Sequence, residues 1–248
     1  MTLEVSAQTH HQREHTFYFA MAASMAIVVF IGFSRTFFLR FWFPEVESLA
    51  APETIFYVHG GFFTAWILFL VIQTSLVRAG RVQQHRTLGW LGAAIAACVV
   101  LLGTYGSLVA ANRPGGFIGV PLPPLQFLVV PVFDMVLFGL FVGLAVAWRG
   151  DSASHKRLML LATINLLEAA FVRIPIEFIT NGAPFTSFGL SDLFIVAMVV
   201  WDLRSSSKLH AVTLWAGLLT ILSQPLRLVI SDTQAWLNFA SWAVGLLN

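Results

Sequence analysis

Charged side chains are scarce in this sequence. Lysine, arginine, aspartate and glutamate make up 10% of its 248 residues, whereas 58% of the residues are hydrophobic. An average soluble domain carries about 25% charged residues. Because a water-soluble fold cannot bury so large an apolar fraction, the composition excludes a soluble domain and predicts an integral membrane protein.

The sequence has a single cysteine, and it lacks several common catalytic motifs. The single Cys98 lies in an apolar run, so this chain alone can form neither a disulfide framework nor a thiolate metal site. The sequence has no Walker loop, no Gly-x-Ser-x-Gly and no His-Glu-x-x-His, which leaves open whether the protein is an enzyme. The 14 basic and 12 acidic residues form no basic stripe, which argues against nucleic-acid binding.

Long runs of apolar residues make up most of the sequence. A membrane-crossing helix needs about 20 apolar residues. The predicted spans are 16–38, 57–77, 87–111, 126–148, 156–175, 186–203 and 209–230. The sequence therefore predicts an all-α, polytopic membrane helix bundle of about seven transmembrane helices, with residues 16–230 forming the bundle. Within the last span, Pro225 is expected to produce a kink.

The two ends of the chain are predicted to differ from the bundle. Residues 1–15 form a polar tail on the cytoplasmic side. Residues 231–248 are too few to cross a bilayer, and their apolar positions share one face, which predicts an interfacial C-terminal helix capped by Ser231 or Asp232.

Basic residues indicate the orientation. Nine fall on one side of the predicted spans: Arg13, Arg78, Arg81, Arg86, Arg149, Lys156, Arg157, Arg204 and Lys208. Five fall on the other: Arg35, Arg40, Arg113, Arg173 and Arg227. Since cytoplasmic loops carry the excess of Lys and Arg, the N-terminus is predicted to be cytoplasmic.

Ionisable groups within the spans define the first candidate site. Asp134 and Glu168 are both predicted about 10 to 12 Å below the outer surface, at 1.5 Å of rise per helical residue. One interpretation is buried ion pairs, with Glu168 paired to Arg173 or Arg35 and Asp134 to Arg227. The other is an outer polar cavity that binds an ion, a proton or a small ligand. Its predicted lining is His59, Trp66, Asp134, Asn165, Glu168 and Arg173.

Histidines at cytoplasmic helix starts define a second candidate site. His85, His155 and His210 are all placed there, and two facing imidazoles can ligate a b-type haem. His85 and His155 are the candidate ligands in this alternative. Within the predicted spans no two metal-ligating residues stand three or four positions apart, so a metal site stays undefined.

Three stretches carry a resemblance to a known group of proteins. They are His59 to Trp66, followed by Gln73-Thr74 and His85-Arg86-Thr87-Leu88-Gly89, and later His155-Lys156-Arg157-Leu158-Met159. The pattern resembles a group of bacterial multi-spanning membrane proteins without an assigned activity, and a looser similarity links the His-to-His helix pair to ascorbate-reducible transmembrane cytochromes b. The resemblance implies a bacterial inner-membrane location and a helical fold. This chain lacks the four paired histidines of those cytochromes.

Three functions follow in order of preference. The first is a binding, sensing or transport-type protein that uses the outer cavity for a small molecule, ion or proton. The second is a membrane electron-transfer or redox accessory protein with a single b-type haem. The third is a structural or assembly subunit in which every buried charge is paired. The oligomeric state is left open.

Overall fold

The computed structural model describes residues 2–43, 53–117, 120 and 122–247, and within these residues it is helical with no strand. The all-α prediction is therefore confirmed. The α-helices are, in chain order, α1 (Thr2–Phe33), α2 (Thr54–Arg78), α3 (Val82–Asn112), α4 (Pro124–Phe127), α5 (Val129–Ala147), α6 (Ser152–Ile164), α7 (Glu168–Phe171), α8 (Glu177–Gly182), α9 (Phe185–Ser206), α10 (Ala211–Ser231) and α11 (Gln234–Gly245).

Among the described residues, six segments are long and apolar enough to cross a membrane. They are Gln12–Phe38, Thr54–Arg78, Val82–Asn112, Pro124–Ala147, Phe185–Ser206 and Ala211–Ser231. Each corresponds to one of the predicted spans, and α10 continues as a helix through Pro225. Large apolar side chains such as Leu101 and Val229 are exposed on the outside of the bundle, where a bilayer would cover them.

The first helix is longer than predicted. It begins at Thr2, so the polar tail extends the first span as helix instead of forming a separate segment. Residues 1–15 contain neither glycine nor proline, which explains why nothing interrupts the helix before the membrane span.

The fifth predicted span, 156–175, is interrupted. Helix α6 ends at Ile164 and α7 begins at Glu168. Across the interruption the amides of Leu166 and Leu167 bond to carbonyls three residues back, those of Thr163 and Ile164. This tight turn of 3₁₀ type separates two helices that together replace the predicted single span.

The α6–α7 segment lies in the centre of the bundle. It packs against α1, α5, α9 and α10, and from Arg157 to Phe171 every side chain is buried or partly buried. Its second turn meets the end of α9 through Arg157 and Asp202, whereas Glu168 meets the end of α10 through Arg227. The segment therefore runs from one end of the bundle, here called the Arg157 end, towards the other, the Arg227 end.

Helix α11 is a short helix against the bundle. Thr233, and not Ser231 or Asp232, caps it by accepting a hydrogen bond from the amide of Trp236 at 3.3 Å. The indole of Trp236 donates to the carbonyl of Leu125 at 2.8 Å, which fastens α11 to α4. The cap lies one to two residues later than predicted because α10 continues to Ser231.

Candidate functional site: a buried cluster around Arg227

Arg227 is the centre of a buried polar cluster. Its Nη1 donates to Asp134 Oδ1 at 2.6 Å and to Glu168 Oε2 at 3.0 Å. Its Nη2 donates to Ser223 Oγ, one turn earlier on α10, at 3.2 Å. Arg227 is 0% exposed, Glu168 5% and Asp134 7%. Helices α5, α7 and α10 therefore converge on one guanidinium group.

Gln224 extends the cluster to a fourth element. Its Nε2 donates to Asp192 Oδ1 on α9 at 2.9 Å and lies 3.5 Å from Glu168 Oε1. Ser223, Gln224 and Arg227 stand four and three residues apart on α10, so they share one helix face. Ser223 and Gln224 were not predicted to belong to the site, although two polar residues one turn before Arg227 on the same helix face are visible in the sequence.

The negative charges in the cluster outnumber the positive ones. Asp134 and Glu168 are two carboxyl groups that share a single guanidinium nitrogen, and Asp192 is a third, half-buried carboxyl group bonded to an amide. One arginine can neutralise only one of them. In a low-dielectric interior an uncompensated charge is costly, so the cluster demands a further positive charge or a proton.

A second buried ion pair at the Arg157 end is balanced. Arg157 donates through Nη2 and, at 3.5 Å, through Nε to Asp202. Asp202 also accepts from Thr213 Oγ1 at 2.6 Å and from the amide of His210 at 3.2 Å. One cation and one carboxylate are thus paired and well hydrogen-bonded, as expected of an ion pair that fixes helix order.

The interruption between α6 and α7 lies beside the Arg227 cluster. Asn165 is fully buried there, its Nδ2 donates to Leu161 O at 2.8 Å, and its Oδ1 has no partner among the described residues. Arg227 Nε is likewise without a partner in the described part of the chain. The site thus contains one buried acceptor and one buried donor that no described residue satisfies.

The ion-pair prediction is right for Asp134 and wrong for Glu168. Asp134 pairs with Arg227, as expected, but Glu168 pairs with the same arginine. Arg173 instead donates from Nη1 to the carbonyl of Ala169 at 2.5 Å and places its guanidinium 4.7 Å from the ring of Phe33. Since Arg173 and Arg227 were predicted near the same membrane surface, depth alone could not choose between them.

The remaining predicted lining residues make other contacts. Trp66 donates from Nε1 to Thr163 Oγ1 at 3.2 Å, which places its indole beside the interruption. The ring of His59 stacks on Phe63 at 4.1 Å, with Nδ1 3.3 Å from Leu102 O. Of the six predicted lining residues, Asp134 and Glu168 meet in the cluster, and Asn165 lies one turn before Glu168.

Two of the three histidines predicted at one bundle end meet there. The ring centroids of His85 and His155 are 6.1 Å apart. His210 instead caps α10, because its Nδ1 accepts the amide hydrogen of Val212 at 3.2 Å. Burial lowers the pKa of His210 below its ordinary 6.5, and the positive charge of Arg157 lowers it further. Among the described residues no group of three or more His, Cys, Asp or Glu is arranged to hold a metal ion.

These features define the class of the molecule. It is a multi-pass integral membrane protein of the all-α class, with a charge-unbalanced cluster in its core. Comparison of the chain with protein-family models, with curated proteins and with solved structures found no match.

Proposed function

We propose that this protein binds and transfers protons at the Asp134–Glu168 carboxyl pair, as a transport-type protein of the bacterial inner membrane with a cytoplasmic N-terminus. The observation that carries the proposal is that two buried carboxyl groups share Nη1 of one arginine. Nine basic residues at the Arg157 end against five at the other support the orientation. On this orientation the Arg227 end faces outwards.

The charge count supports a proton as the bound species. When Arg227 neutralises one carboxylate, the other must bind a proton or a small cation to remain in a low-dielectric core. The two carboxyl groups approach the same nitrogen atom. A proton is the smallest positive species that can neutralise the second carboxylate there, either by bridging the two groups or by moving between them. Intramembrane carboxyl groups of this kind typically mark proton relays or ion pathways.

The balanced pair at the Arg157 end argues against a purely structural cluster. Arg157 and Asp202 tie α6 to α9 with one positive and one negative charge. A single carboxylate at the Arg227 end would tie α10 to a neighbour equally well. The second carboxyl group adds a desolvation cost without adding a counter-charge, so we infer that it is retained for function.

The interrupted α6–α7 segment supplies an element that can move. Helix breaks at membrane depth occur where the backbone is buried in protein or lines a cavity, and discontinuous helices carry the ion sites of many transporters. Here Glu168 is the first residue after the break. A small rotation of α7 would separate Glu168 from Arg227 without breaking the Arg227–Asp134 pair.

Proton flux into proteoliposomes tests the proposal. Vesicles that contain the purified protein and a trapped pH-sensitive dye receive a potassium diffusion potential through valinomycin, and internal acidification is followed. We expect the wild-type protein to acidify the vesicles faster than protein-free vesicles, and Glu168→Gln to lose that difference. Asp232→Asn is the matched control, because it makes the same kind of change at an exposed carboxyl group that follows α10.

Equal rates in wild type, Glu168→Gln and Asp232→Asn would overturn the proposal. Repeating the wild-type measurement with choline in place of external sodium shows whether the acidification needs sodium. Acidification that persists in choline supports transfer of the proton alone, whereas acidification that is lost in choline would overturn it in favour of coupled movement of a proton and a sodium ion.

A further inference from the structure

His85 and His155 occupy equivalent places in two helices. His85 is the fourth residue of α3 and His155 is the fourth residue of α6, and both helices pack against α5. Their rings are 6.1 Å apart between centroids and nearly perpendicular, at 79°. Two half-buried imidazoles thus lie next to each other at the Arg157 end, at the opposite end of the bundle from the Arg227 cluster.

Hydrogen bonds at Nδ1 indicate which tautomer each neutral ring would adopt. His155 Nδ1 lies 2.8 Å from the carbonyl oxygen of Ala145, which can only accept, so Nδ1 donates and carries the hydrogen. His85 Nδ1 donates in the same way to Gln73 Oε1 at 2.7 Å. In each neutral ring the lone pair then belongs to Nε2. Metal-ligating histidines almost always have this arrangement, with the second nitrogen donating to a carbonyl or carboxylate.

The separation of the rings matches a metal bound between them. Metal to imidazole nitrogen distances are about 2.0 to 2.1 Å. With Nε2 about 1.1 Å from its ring centroid, a metal ligated on opposite sides by two imidazoles holds the centroids about 6.2 Å apart. The observed 6.1 Å agrees with this value. The Nδ1 bonds alone do not explain the pairing, because each connects its ring to a different neighbour.

We propose that His85 and His155 ligate one transition metal through their Nε2 atoms. The described residues offer no third His, Cys, Asp or Glu for this centre, which excludes a four-ligand zinc site of the structural kind built from them. The two Nε2 atoms, on opposite sides of a metal, are sufficient in two cases. The metal either carries further ligands in a cofactor or is stable with two ligands alone. Haem iron, which takes four nitrogens from its porphyrin, and the cuprous ion, which is stable with two ligands in line, both meet this condition.

Metal content and spectra of the purified wild-type protein give the first test. The protein is purified in detergent from cells supplied with copper and with the haem precursor 5-aminolaevulinate. Metals are quantified per chain, and absorption spectra are recorded before and after dithionite. A Soret band that shifts on reduction identifies haem iron, and a colourless protein with one copper per chain identifies the cuprous ion. Either result supports the shared ligation.

Variants assign the metal to the two rings. His85→Ala and His155→Ala should each lower the bound metal at least tenfold, whereas His59→Ala should leave it unchanged. His59 is the matched control because it is also a partly buried histidine whose Nδ1 lies near a carbonyl, but its ring stacks on Phe63. Gln73→Leu, which removes the acceptor for His85, should weaken binding about 10- to 100-fold.

One further measurement keeps the proposal testable if a variant fails to fold. X-ray absorption of the loaded wild-type protein should show imidazole nitrogen at about 2.0 Å from the metal. The proposal is refuted if the wild-type protein binds neither haem nor titrated cuprous ion. It is equally refuted if folded His85→Ala and His155→Ala proteins retain the wild-type metal content.

Discussion

Replacing Glu168 by glutamine should separate function from stability. Glutamine has the shape of a protonated glutamate, and its Oε1 can still accept from Arg227 Nη1. Arg227 and Asp134 then remain as a balanced pair. We therefore expect the free energy of unfolding to change by less than about 1 kcal/mol, the usual net contribution of one hydrogen bond.

The comparison variant is Asp202→Asn at the balanced pair. This change leaves Arg157 as a buried cation without a counter-charge, and removing one partner of a buried pair typically costs about 3 to 5 kcal/mol. Asp202 also accepts from Thr213 and from the amide of His210, so its removal disturbs the junction of α9 and α10. For a chain of this size, 1 kcal/mol corresponds to about 2 to 4 °C in the melting temperature.

Thermal unfolding in detergent, followed by tryptophan fluorescence, measures both changes. Asp202→Asn should lower the melting temperature by roughly 6 to 20 °C and Glu168→Gln by less than about 4 °C. Proton flux should show the opposite order, with Glu168→Gln inactive. The reasoning is wrong if Glu168→Gln melts as low as Asp202→Asn and still transports protons, because the cluster would then be a structural clamp.

Three further changes test parts of the fold by thermal unfolding. Gly32→Ala should destabilise by about 1 to 3 kcal/mol, because a Cβ at this position of α1 would overlap the carbonyl of Ala170; an unchanged melting temperature would contradict this close approach. Thr233→Ala should cost about 1 kcal/mol by removing the cap of α11, whereas Thr233→Ser should restore it. His210 has a pKa below its ordinary 6.5, so its contribution to stability is present above that pH and is lost as the pH falls below it. His210→Asn keeps a good cap that does not titrate, and melting temperatures between pH 7 and 5 should fall less than in the wild type, whereas an identical fall would contradict the assignment.

The positions of the long helices follow from composition alone. The predicted spans 57–77 and 87–111 fall inside α2 (Thr54–Arg78) and α3 (Val82–Asn112), because long apolar runs bounded by polar or proline-rich loops have few alternatives in a bilayer. The depth of Asp134 and Glu168 followed from the same counting. Their meeting in one cluster agrees with that shared depth.

The break at Asn165 could not be predicted in the same way. Four leucines surround it, at positions 160, 161, 166 and 167, and leucine favours a continuous helix. The interruption depends on the bond from Asn165 Nδ2 back to Leu161 O, which competes with the helix, and on the pairing of Glu168 with a helix more than 50 residues later in the chain. Both interactions depend on the tertiary structure, which a local sequence pattern does not specify.

Which arginine pairs with Glu168 could not be predicted from the sequence for a related reason. Arg35, Arg173 and Arg227 were all placed near the same membrane surface, and their selection depends on how each helix is rotated about its axis. Only the packing of α5, α7 and α10 shows that Arg227 is the common partner. The same limit applies to His85 and His155, whose approach follows from how α3 and α6 pack on α5.

Infrared spectroscopy of the purified protein tests the central claim most directly. A buried carboxyl group that holds a proton gives a C=O stretching band, distinct from that of a carboxylate, which shifts on exchange into D₂O. The account predicts this band in the wild-type protein at neutral pH. It also predicts loss of the band in both Glu168→Gln and Asp134→Asn, because either change leaves one carboxylate balanced by Arg227. A wild-type spectrum without a protonated carboxyl band, or a band that persists in both variants, would contradict it.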